Sequence, residues 1–527
     1  MVIRQFFVPG ARLRQVPWLC CIFSALALFL AGCSDRTADA YAEAQVAQAL
    51  FDQGDLPGAR QAIGRAMALR EDQVDILLLD GRIKVAMGDL RSAYDSYRMV
   101  LALDPRRPEA LIAVAQFGIA LGETREALDA ADLVLTIVPD QPDALLVKGI
   151  AALNRKNYAE VIALGERILA ANPADRKGIV LKARGLSLTG RKDEALALLR
   201  QASEEYGNDE LIATAMLENA RDTADVAIML EQMALLRQIR PDSVDLAIDE
   251  VNIRYKSGDT QGARTAAGEI LAQFGGDASA VARLARLWRE YDPDPLGALE
   301  LRALSEEGAT NARQVAARHY LAQGDLQTAA AIVANSPDVR ARALLARIAA
   351  AAREEGAIRA AAGILAQDKT SCDALLAAAE WNLAAQRPTE AVGPAQVAAA
   401  ECRDLPDGYL VAARAYDAQR RPAGAERVYR EGLAAHPQDR ALTRAYARWL
   451  IRRDRAAAAE TVARGLTDRT PASMGAWRLL AEICTTTENA ACIAEARRGE
   501  AAAKTNFAID LAPGERINNP LLGQQWR

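Results

Sequence analysis

Small and apolar residues recur along this chain in pairs of helix-length stretches, and the pairs return every 34 residues. Glycine marks the step at Gly54, Gly88 and Gly122. The same step reaches Lys156, in Lys156-Asn157-Tyr158, then Gly190, and after one omitted unit Gly258. Proline keeps the step at Pro105, Pro139, Pro173 and Pro241, with Gly207 standing in the series. Ala59, Ala93 and Ala127 each follow their glycine by five residues. A period of this length marks a repeat architecture, in which one unit buries its apolar face only by stacking on the next. The clearest unit spans 74–107. In it Gly81 permits close approach of two helices, and Gly88-Asp89 makes a turn that wants positive φ and then a helix cap. Ala93 allows tight packing, Tyr97 fills the gap to the next unit, and Pro105 ends the second helix.

These units resemble tetratricopeptide repeats, which are 34-residue helix–turn–helix modules. The register runs 40–73, 74–107, 108–141, 142–175, 176–209, 210–243, 244–277 and 278–311, the last with Asp292-Pro293-Asp294-Pro295 in its turn. The period slips over 312–405, where Gly324-Asp325 comes two residues early and 338–372 is Ala-rich. It returns at 406–439 and 440–473 and closes with a unit at 474–507, followed by an extended or partly disordered tail at 508–527. The expectation is an all-α, right-handed α-solenoid superhelix of about 13–14 repeats, regular over 40–311, degenerate over 312–405 and recovering over 406–507.

In such repeats the first helix of each pair lines the inside of the coil, and the resemblance implies a partner groove at its inward places. Here those places hold Phe51, Leu78, Arg82, Val85, Ile112, Gln116, Ile119, Leu146, Leu153, Val180 and Arg184. The early repeats thus present an apolar channel with arginines set into it, and the later ones a charged wall with Arg221, Arg286 and Arg289. The lysine and asparagine constellation of the chaperone-tail clamp is missing. The implied partners are other proteins or peptides, with apolar burial for affinity and arginine for carboxylates.

The N-terminus reads as an address. Arg4, Arg12 and Arg14 precede an apolar run from Trp18 to Ala31, which fits a secretory signal and is short for a membrane-spanning helix. The run ends Leu30-Ala31-Gly32-Cys33, which resembles a bacterial lipobox. That resemblance implies a signal peptide at 1–32, lipid on Cys33 and a linker at 33–39. Several acyl chains anchor stably where one is marginal. Ser34 follows the cysteine and Asp35 comes one place late for inner-membrane retention, so the expected site is the periplasmic face of the outer membrane.

Composition narrows the chemistry. With 64 Lys+Arg against 69 Asp+Glu, a net charge of −5 and 5% aromatic residues, the chain has neither the basic excess nor the stacking platforms of a nucleic-acid binder. Its two histidines, His319 and His436, lie in different repeats and read as surface or capping residues. No zinc-protease, serine-hydrolase or phosphate-loop motif occurs, so no catalytic residue, metal or cofactor is expected. Four cysteines remain beyond the lipobox, an even number that suits an oxidising compartment. Cys372 begins one helix and Cys402 ends its return partner, while Cys484 and Cys492 straddle a turn, so both pairs are candidate disulfides. The functional expectation is a membrane-anchored scaffold for an envelope assembly. Lipoproteins of exopolysaccharide export and exosortase-linked systems are the nearest resemblance. A glycan-binding or cell-wall-acting accessory is the alternative.

Overall fold

A computed structural model describes residues 36–507, and they contain 28 helices in fourteen successive pairs, with no strand among them. The signal segment, Cys33 and the tail at 508–527 lie outside the described residues. The first helix, Arg36–Asp52, takes in four residues of the expected linker, with Asp39 favourably placed in its first turn. The fold is an all-α array of helix–turn–helix hairpins.

Most hairpin turns contain one residue in the left-handed region, and seven of them follow it with a capping side chain. Gly88 (φ 76°) ends the helix Val74–Ala86, and Asp89 then accepts a hydrogen bond from Ser92 N to start Leu90–Leu103. The same device recurs with Asp55, Asn157, Asp225, Asp259, Asp325 and Asn489 as caps. Such a cap is worth about 1 kcal/mol. The left-handed place persists where glycine does not: Lys156, Ala224, Arg353, Gln386, Arg420, Asp454 and Glu488 have φ of 55–62°. Ala224 therefore fills the place where the glycine series skips a unit.

The register slip has a plain structural cause. First helices begin at Thr310, Val339, Cys372 and Asp407, steps of 29, 33 and 35 residues. The second helices in this stretch are short, with 10 residues in Ala298–Glu307, 8 in Leu326–Val333 and 9 in Ala357–Leu365. The hairpins continue through the Ala-rich zone on abbreviated outer helices.

The helices form two compact units that divide between Thr189 and Gly190. In the first unit Ala59, Ala93 and Ala127 are fully buried, and Tyr97 stacks on Phe117 at 5.9 Å. A Cβ on Gly81 would stand 2.8 Å from the Tyr97 ring, which is why this helix position excludes a side chain. Buried Asp80 is satisfied by Lys84 Nζ and Ser96 Oγ, both at 2.6 Å.

In the second unit buried polar groups tie successive hairpins. Asp292 accepts two bonds from Arg264 (2.8 and 2.9 Å) and one from Tyr255 (3.2 Å), which pins the Asp-Pro-Asp-Pro turn. Three inner helices meet at Arg347, which donates to Glu380 (2.7 and 3.1 Å) and Asp373 (3.3 Å) and lies 3.4 Å from Asp407. Arg318 reaches the same Asp373 at 2.6 Å. Burial pushes the Asp373 carboxyl up, but Arg318 and Arg347 outweigh it and hold it below the usual carboxylate range.

Candidate functional site

The inward places of the first unit lie on Arg36–Asp52, Val74–Ala86, Pro108–Leu121, Pro142–Asn154 and Arg176–Leu188. They do not form the open apolar channel that the register implies. Leu78, Gln116, Ile119, Leu146 and Val180 are buried, and Phe51, Val85, Ile112, Leu153 and Arg184 are half-buried. Arg82 alone of this set is exposed, with its guanidinium 5.4 Å from the Phe51 ring centre. The reason is close packing between inner helices: a Cβ on Gly149 would come within 2.5 Å of Leu181. Residues that spacing alone turns inward thus serve largely as contacts between neighbouring helices.

The charged wall of the later repeats has a different fate. In the second unit it lines a cavity of about 830 Å³. Asp249 and Asn252 come from Val244–Ser257, and Arg286 and Arg289 from Ala278–Tyr291. Across the cavity stand His436 and Arg444. Asn252 is half-buried, and Arg286 and Arg289 are exposed. Burial pushes the Asp249 carboxyl up against the pull of Arg221 and Arg283. Arg221 bonds Asp249 directly and so supports the wall from behind. The cavity therefore offers cationic donors and an amide along one wall.

The candidate disulfides are both formed. Cys372 and Cys402 join across one hairpin at a Cα separation of 5.8 Å, and Cys484 and Cys492 across a turn at 5.5 Å. The histidines separate in role. His436 caps the helix Pro422–Ala435 and packs edge-on against Tyr409. His319 is a core residue, not a surface one: it is 2% exposed, sits edge-on to Trp288 and faces the Pro293 carbonyl at 3.1 Å. Burial lowers its pKa against the opposing pull of the Pro293 carbonyl. The run Arg452-Arg453-Asp454-Arg455 is engaged by its neighbours. Arg453 lies 4.0 Å over Trp449 and bonds Asp417, while Arg455 donates to Glu426 at 2.8 Å. Among the described residues no group of three or more His, Cys, Asp or Glu side chains is placed to hold a metal ion, and no helix is long and apolar enough to cross a membrane.

Sequence reasoning missed Lys256 and Glu290, which also line the cavity. Their partners lie 150 or more residues away, and no local spacing announces such a contact.

An array of paired helices with a polar cavity on its inner face defines the class as an α-helical repeat protein. Within that class, a family model described as tetratricopeptide repeat matches residues 406–449. No curated protein matches the chain. Several solved structures are similar at low identity. A tetratricopeptide repeat protein from Parabacteroides merdae ATCC 43184 is 19% identical, with a TM-score of 0.39, covering 46% of this chain and 97% of its own. PilW, a widely conserved type IV pilus biogenesis factor, is 20% identical with a TM-score of 0.34, covering 39% of this chain and 96% of its own. A thermophilic tetratricopeptide repeat protein from Thermus thermophilus is 21% identical with a TM-score of 0.32, covering 34% of this chain and 98% of its own.

Proposed function

We propose that this chain is a lipid-anchored periplasmic scaffold that docks extended segments of partner proteins on its inner helices. The observation that carries this reading is the second unit's cavity, where Asn252, Arg286 and Arg289 project from consecutive inner helices. A folded repeat array is suited to protein–protein interaction, since its rigid helices hold such side chains in fixed register. The Leu30-Ala31-Gly32-Cys33 segment supports the anchor, and the expected location is the outer membrane. The setting we favour is an envelope assembly for polysaccharide export or an exosortase-linked system, on the strength of a long Ala-rich array behind a lipobox.

Two experiments test the reading. A photo-crosslinking amino acid placed at Asn252 or Arg289 captures a partner in native envelopes, and the same label at exposed Arg427 on an outer helix does not. Equal capture at all three positions, or none at the inner two, overturns the docking role. Cys33→Ala releases the protein from the membrane fraction and abolishes lipid labelling; retained labelling overturns the anchor.

A further inference from the structure

Units of a repeat array touch only their neighbours, so a contact between distant units is additional structure. The second unit has one. Glu290, near the end of Ala278–Tyr291, accepts from Arg440 Nη1 at 2.8 Å, from Ser473 Oγ at 3.1 Å and from Gly475 N at 2.5 Å. Arg440 also donates to the Arg289 carbonyl. Ser473 caps the helix Met474–Thr486, and the Gly475 N–H belongs to its first turn, so the carboxylate sits at the positive end of that helix. A second point of closure lies nearby. Lys256 is buried and donates to the carbonyls of Ala472 (2.8 Å) and Asn506, with the Phe507 ring 5.8 Å away. These bonds span 150–250 residues, beyond the reach of a contact between neighbouring hairpins.

The character of this contact differs from that of the hairpin interfaces. Those are buried Ala, Leu and Tyr surfaces. The closure consists of charge-assisted hydrogen bonds, and the Glu290 and Arg440 side chains retain 15% and 28% exposure. Breaking its bonds removes none of those hairpin-to-hairpin surfaces. The contact residues Lys256, Glu290, Arg440 and Ser473 themselves line the cavity, with Asp249 and Asn252 on one arm and His436 and Arg444 on the other.

We propose that this contact is a latch: the arm carrying Lys256 and Glu290 and the arm carrying Arg440, Ser473 and Gly475 part and re-close as bodies, and the latch controls entry to the cavity. Control of entry rests on the docking role proposed above; the opening itself does not. Glu290 is the keystone, because one carboxylate gathers three donors from the opposite arm.

The test measures the arms without any partner. Spin labels on Ala282→Cys and Ala441→Cys, exposed positions on opposite arms, report their separation in the full chain by electron–electron double resonance. The expected result is one short, narrow distance in the parent. Glu290→Lys, which sets a cation against Arg440, shifts the distribution to longer and broader distances, and adding Arg440→Glu restores the short one. Far-UV circular dichroism checks folding. Should Glu290→Lys fail to fold, Glu290→Gln and a salt titration of the labelled parent carry the test, both lengthening the distance. An unchanged short distance in the folded charge-reversal variant, or in Glu290→Gln and at 1 M salt, overturns the latch. Because this readout needs no partner, it stands apart from crosslinking at Asn252, which tests docking.

Discussion

Replacing Arg347 by methionine removes the cation on which three inner helices converge. The guanidinium is 5% exposed and meets Glu380, Asp373 and Asp407. Removing one partner of a buried ion pair costs about 3–5 kcal/mol, since the remaining charges stay desolvated. Arg318 still neutralises part of Asp373, which places the expected loss near the lower end, about 3 kcal/mol, or about a hundredfold in the opening equilibrium. A repeat array need not unfold as one cooperative unit, so a single melting temperature is a poor readout. Amide hydrogen exchange followed by mass spectrometry resolves the effect by segment. We expect the variant to lose about hundredfold protection across Val339–Ala351, Cys372–Ala384 and Asp407–Ala418, with Pro108–Leu121 in the other unit unchanged. The sign with pH follows from Asp373. Its folded carboxyl is held below its ordinary value, so its stabilisation is complete above that ordinary value and is lost as pH falls through the folded one. Without Arg347 the folded value rises, and acid loss of protection begins at higher pH. Protection in these segments within threefold of the parent, with an unchanged acid profile, refutes the reasoning.

Other consequences are quicker to measure. Replacing Cys372 and Cys402 by alanine costs more than replacing Cys484 and Cys492, because their separations are 30 and 8 residues; loop entropy gives about 3–4 against about 2–3 kcal/mol, read as segmental exchange. Gly81→Ala forces a methyl to 2.8 Å from the Tyr97 ring and costs about 1–3 kcal/mol locally; Gly54→Ala, which meets no neighbour but has positive φ, separates crowding from backbone strain.

The fold was legible because the turn chemistry is written locally. Gly88-Asp89 and Gly258-Asp259 declare a left-handed residue followed by a cap, and Gly81 opposite Tyr97 declares a close crossing. Legibility faded where a turn kept its backbone but changed its residue. Ala224, Gln386 and Arg420 adopt the same left-handed conformation without glycine, and Pro388 or Pro422 starting the following helix was the remaining signal. The short outer helices between Ala298 and Leu365 shifted the register, so spacing failed there although hairpin structure did not. The cysteine pairs were legible because hairpin geometry alone brings their positions together. The inner row was only half legible. Spacing told that Leu78 and Leu146 turn inward, but the closeness of adjacent inner helices decides whether an inward residue meets solvent. The charged places Arg286 and Arg289 do line a cavity. Glu290 and Lys256 were invisible, since their partners depend on how six to eight successive hairpins curve rather than on any local pattern.

Position-resolved photo-crosslinking in native envelopes addresses the scaffold claim most directly. A probe at Asn252, Arg286 or Arg289 should trap the same partner chain, and a probe at Arg427 should trap none. Identical trapping from inner and outer helices, or silence along the whole inner wall, would contradict it.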